Sequence, residues 1–129
     1  DMNTFMISRW TTKLKNQISL FSGHNEYYAN LSHAAFADTK KILFVNRGVD
    51  ISRPLAAQND CFWWGYHGIS NGASTYHNFI RIVRGYDPKK TGPNSNNLVC
   101  SLYKGSGFGE NVIGGLFSDS GHVLDLFEA

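Results

Sequence analysis

Charge is what this sequence has little of. Asp, Glu, Lys and Arg make up 17% of its 129 residues, against about 25% in an ordinary globular chain. The formal net charge of +2 is too small to mark a nucleic-acid binder, whose footprint is a strongly basic face. Cysteine is scarce as well. Cys61 and Cys100 are the only two, the minimum for one disulfide, and the number alone does not choose between a bridge and two thiols. Neither lies in a Cys-x-x-Cys, and the five His residues show no ligand spacing, so neither a metal nor a cofactor is expected. No apolar run is long enough to span a membrane, and no signal peptide is recognisable. Gly105-Ser106-Gly107-Phe108-Gly109 lacks the Lys-Ser/Thr of a phosphate loop, and Glu110 beside it repels phosphate. It reads as a glycine-rich turn.

What is plentiful points to a β-rich body. The chain is 42% hydrophobic and 14% aromatic, with 13 glycines, and it is long enough to bury roughly two-thirds of its surface as one domain over residues 1–129. Met2, Met6, Trp10, Leu14, Ile18 and Phe21 recur at helical steps, which predicts an N-terminal helix over 1–22 with one apolar stripe. Arg9, Lys13, Lys15 and Gln17 fill its other sides. Gly23 is the residue suited to end it, since glycine tolerates the left-handed conformation of a helix stop. The globular head then runs from 23 to 129. Ser32 is placed to cap a short helix over Ala34–Ala37. Strands are expected at Lys41–Val45, Val49–Ile51, Tyr76–Val83, Val112–Ile113 and Val123–Phe127, and a strand or short helix at Asn97–Tyr103. Asp87 to Asn97 is a loop by composition.

The densest aromatic segment is Phe62, Trp63, Trp64 and Tyr66. On a strand, adjacent Trp side chains face opposite ways, so one enters the core and the other offers a contact surface of the kind enriched at binding sites. Trp63, Trp64 and Tyr66 are therefore candidate contact residues, together with Lys89 and Lys90 of the long loop. As a carbohydrate-binding or effector module, the chain would use the aromatic trio as a stacking surface. Asn30-Leu31-Ser32 is an N-glycosylation sequon, relevant only in a eukaryotic secretory protein.

Two resemblances bear on function. Leu20-Phe21-Ser22-Gly23-His24-Asn25-Glu26-Tyr27, followed by Leu31-Ser32-His33-Ala34, resembles the segment after the long helix in type IVb-like pilins. Trp64-Gly65, Phe79–Val83 and Cys100-Ser101-Leu102 are similar to later steps of that family's pattern. The family's hydrophobic N-terminal half-helix is absent, and Cys61 lies nearer the middle than the family's C-terminal disulfide. The chain opens at Asp1 rather than Met, so a removed upstream segment is expected. The resemblance implies a secreted, extracellular filament subunit that touches the membrane only through that missing segment. Its partners are other subunits, engaged through the N-terminal helix, and a host or surface ligand. The stripe Met6, Trp10, Leu14 and Ile18 then lies on the sheet of the head. The second resemblance is to peptidoglycan amidases in the order Cys61 then His122, with Asp125 or Glu128 to orient the imidazole. The turn motif that precedes the His strand in such enzymes is missing. The expectation is thus an α+β domain, an N-terminal helix packed against an antiparallel β-sheet with Cys61 bridged to Cys100, that works by assembly and not as an enzyme.

Overall fold

A computed structural model describes residues 4–65, 73–96 and 98–129. The chain is α+β, as expected, and divides into two compact units, Asp1–Ser32 and His33–Ala129.

The first unit is helical. Helix α1 spans Thr4–Ile18 and α2 spans His24–Ala29. Gly23 does adopt the left-handed conformation, with φ of 82°, but as the entry residue of α2. The stop of α1 falls earlier, where Leu20 N–H bonds the Gln17 carbonyl and Phe21 N–H that of Ile18. After Gly23, His24 to Ala29 forms a second helix. The apolar stripe of α1, expected to bury itself, contains no buried residue.

The second unit is built on a five-stranded sheet of order β1-β2-β3-β5-β4. Its strands are β1 (Ala34–Phe36), β2 (Ile42–Val45), β3 (Arg81–Arg84), β4 (Asn94–Ser95) and β5 (Val99–Ser101). The sheet is mixed, not antiparallel. β2, β3 and β5 run parallel, and only the edge strands β1 and β4 are antiparallel to their neighbours. The continuous apolar run of β2 and the adjacent Ile82 and Val83 of β3 fit this arrangement, because a parallel core is covered on both faces. Ala34–Phe36 forms a strand instead of the expected helix because it pairs with β2, Ala35 opposite Phe44.

Register lines up two apolar rows. Leu43, Ile82 and Val99 form one, and Phe44, Val83 and Cys100 form the other on the opposite face. The first row joins Val45, Val49, Phe62, Tyr76, Phe79 and Leu98 in the larger core layer. That layer is roofed by loops, a 3₁₀ turn at Leu55–Ala57 and the single-turn helix α3 at Cys61–Trp64. Cys61 to Trp64 is therefore helical, where a strand was expected. The second row is covered by a hairpin, β6 (Ile113–Phe117) paired antiparallel with β7 (Val123–Glu128), through Phe117, Val123 and Leu126. Gly114 sits inside β6 because a Cβ there would lie 2.3 Å from the Phe127 ring.

Polar anchors fix the seams. The Arg81 Nε–H donates to the Gly121 carbonyl (3.0 Å) and its Nη1 to the Asn96 carbonyl (2.5 Å), tying the hairpin turn to the sheet. Gln58, fully buried, accepts from Asp50 N–H (2.8 Å) and donates to the Asp50 carbonyl (2.7 Å) and the Tyr76 hydroxyl (2.7 Å). This closes the loop over the larger core. Removing a buried apolar side chain from the central row leaves a void the sheet cannot close. Ile82→Ala is expected to lower the unfolding free energy by about 2–5 kcal/mol, read as a drop in urea midpoint at unchanged slope.

Candidate functional site

Three parallel strands end on one edge of the sheet, and the residues that follow them meet there. After β2 come Asn46 and Arg47, after β3 Tyr86 and Asp87, and after β5 Leu102 and Tyr103. Tyr86 N–H donates to the Asn46 carbonyl at 2.7 Å, and Arg47 N–H to that of Phe62 at 2.8 Å. The Arg47 guanidinium lies 5.7 Å from the centre of the Tyr86 ring, within cation–π range. Tyr86 packs against Tyr103 with ring centres 4.9 Å apart. Ligands of open sheets with parallel strands favour this carboxyl edge. Here it holds a cation and two phenols.

Asp87 anchors the loop on this edge. Its buried carboxylate accepts from the Arg84 guanidinium (2.7 Å), Lys89 N–H (3.0 Å), Thr91 N–H (3.3 Å) and the Thr91 hydroxyl. Burial is the largest single influence and pushes the carboxyl up. The hydrogen bonds from Thr91 and Lys89 and the charge of Arg84 outweigh it, so the net shift is below the usual carboxylate value. Lys89 and Lys90 are exposed on this loop, and the Lys90 ammonium lies 5.7 Å from the Phe108 ring centre. Of the expected contact residues, Trp64 is 71% exposed, whereas Trp63 packs against the larger core and meets His33 edge-on. One Trp in and one out was the expectation for a strand, and a single helical turn achieves the same division. Tyr66 lies outside the described residues.

The cysteines do not form the expected bridge. Both are free thiols. Cys100 belongs to the row that faces the hairpin, while Cys61 opens α3, which roofs the other face, so the sheet stands between them. The same separation parts Cys61 from His122. Cys61 does open a helix, as the amidase pattern asks, yet His122 sits in the hairpin turn, where its N–H donates to the Ser118 hydroxyl (3.1 Å) and neighbouring Val123 packs in the smaller layer. The sequence order Cys-then-His thus gives no dyad. Among the described residues, no group of His, Cys, Asp or Glu could hold a metal ion.

The Arg47–Tyr86–Tyr103 stack was missed in the sequence. Its only signal there is that a polar or aromatic residue follows each of three apolar strands. Compared with protein-family models, curated proteins and solved structures, the chain matches none.

Two outcomes follow for these side chains. Intact mass is expected to be the same with and without reductant. A thiol reagent near neutral pH labels Cys61 and reaches Cys100 only on unfolding, because burial, partly offset by Arg81 and Ser95, pushes the Cys100 thiol up. For Asp87, a folded-state pKa below the unfolded one means stability present above the unfolded value and lost as pH falls through the folded one. Asp87→Asn is expected to cost about 1–3 kcal/mol at neutral pH, and below about pH 4 the gap between variant and parent narrows. Urea unfolding at a series of pH values checks both.

Proposed function

We propose that the chain is a structural or adhesive subunit of an extracellular filament, acting by assembly and surface contact, as its resemblance to type IVb-like pilins implies. The observation that carries this is the outer side of the β6–β7 hairpin. Its inner side packs on the sheet through Phe117, Val123 and Leu126. By register, Leu116 and Phe127 project from the opposite face, and Leu124 is exposed beside the bulge that follows Leu116. The outer edges of both strands have no strand partner among the described residues, which suits them to pair with another chain, although the Leu126 N–H already donates to its own Asp125 carboxylate (2.9 Å).

A second copy supplies the complement. The hairpin offers two different edges, so joining β6 of one copy to β7 of the next is a heterologous contact. Such contacts repeat without closing unless their rotation forms a ring. The pairing places Leu116, Leu124 and Phe127 beside those of the neighbour and removes apolar surface from water.

Sedimentation velocity over a concentration series tests this. The parent chain is expected to gain mass with concentration. A Leu116→Lys/Leu124→Lys variant puts charges at the edge and is expected to need at least about tenfold more protein for the same shift. A parent chain that stays monomeric throughout contradicts the proposal.

A further inference from the structure

The charge excess of this protein sits in one place. Three of the 12 cationic residues, Arg9, Lys13 and Lys15, lie in α1, and no acidic residue occurs between Met2 and Asn25. From Glu26 to the end, nine cations meet nine carboxylates, so the rest of the chain is formally neutral. The same helix exposes large apolar side chains. Trp10 is 61% exposed and Met6 55%, and Ile7 and Leu14 are exposed too. At about 100° per residue, Met6, Trp10, Leu14, Ile7 and Ile18 fall within an arc of about 120°. Lys13 and Arg9 flank one side of that arc and Lys15 the other, with Ser8, Thr12, Asn16 and the exposed Phe5 behind, and Gln17 falls inside the arc.

From this pattern we propose that α1 is a membrane-surface helix that docks in the headgroup layer of a bilayer containing anionic phospholipid. The arc and its flanking cations meet the matching parts of that layer. The apolar arc sinks to the boundary of the acyl chains, Trp10 takes the interfacial depth that indole prefers, and the flanking cations reach up to the phosphates. The helix lies on the bilayer and does not cross it. Its 15 residues span about 22 Å, short of the roughly 30 Å hydrocarbon core. Among the described residues, no helix is long and apolar enough to cross a membrane. A second copy of α1 is a poorer occupant, since it sets three cations against three with no carboxylate on either helix to pair them. Nucleic acid would satisfy the cations but leave the apolar arc in water. The inference uses a different surface from the hairpin contact and does not depend on it.

The test is co-sedimentation of the chain with phosphatidylcholine vesicles, with and without phosphatidylglycerol. Three cations at about fivefold each predict partitioning on the order of 100-fold stronger onto the anionic vesicles, falling as salt is raised. Arg9→Gln/Lys13→Gln/Lys15→Gln is expected to bring binding down to the neutral-vesicle level. Trp10→Ser/Leu14→Ser is expected to abolish it with the charges intact. Brominated lipid is expected to quench part of the Trp fluorescence, and that part is missing in Trp10→Phe. All substitutions lie at exposed positions, and an unchanged urea unfolding midpoint verifies that the head is intact. Leu116→Lys/Leu124→Lys is expected to bind vesicles like the parent, which separates this inference from the hairpin contact. No binding to anionic vesicles, equal binding to both compositions, or undiminished binding by the triple variant overturns it. So does lipid-free self-association that Trp10→Ser/Leu14→Ser abolishes, which makes a second copy the occupant.

Discussion

Everything in the head follows from three short parallel strands that must be covered on both faces. β2, β3 and β5 contribute only four, four and three residues, yet Leu43, Ile82 and Val99 of one apolar row and Val83 and Cys100 of the other are almost fully removed from water, Phe44 alone staying partly exposed. Parallel strands of this length have no stability of their own. One face is closed by the loops and α3 around Phe62, with Gln58 holding the backbone polar groups that such a roof would otherwise leave unsatisfied. The other is closed by the β6–β7 hairpin, fastened by Arg81. Apolar contact supplies the driving force, and a few buried polar groups decide where the covers sit.

That arrangement also fixes which side chains can cooperate. Alternation along a strand sends Val99 and Cys100 to opposite layers, so the sheet sits as a barrier between Cys61 and both Cys100 and His122. Disulfide and dyad fail for one and the same reason. What the sheet does assemble is its carboxyl edge, where successive strand ends deliver Arg47, Tyr86 and Tyr103. The Asp87 carboxylate holds the intervening loop by accepting hydrogen bonds from two backbone N–H groups, a hydroxyl and a guanidinium.

The legible parts of the sequence were those governed by local pattern. The stripe from Met6 to Ile18 announced α1, the run Ile42–Val45 announced a buried strand, and the β run Val123–Phe127 announced β7. Gly23 was recognised as left-handed, though it opens a helix instead of closing one. What stayed hidden depends on distant partners. Ala34–Phe36 has helix-forming alanines but becomes a strand because β2 offers an edge. Parallel pairing of β2, β3 and β5 could not be read from runs that suit either direction. The Arg47–Tyr86–Tyr103 stack comes from three separate segments, and no spacing within one segment encodes it.

One asymmetry runs through the chain: the head buries its apolar rows on both faces of the sheet, whereas Ile7, Trp10 and Leu14 of α1 are exposed. Hydrogen–deuterium exchange of the lipid-free chain, resolved to segments, reads it directly. The amides of β2, β3 and β5 should exchange slowest and together, with those of β6–β7 next, while α1 exchanges fastest of the regular elements. Protection of α1 equal to that of β3 would contradict the account, because it would mean that the arc is already buried.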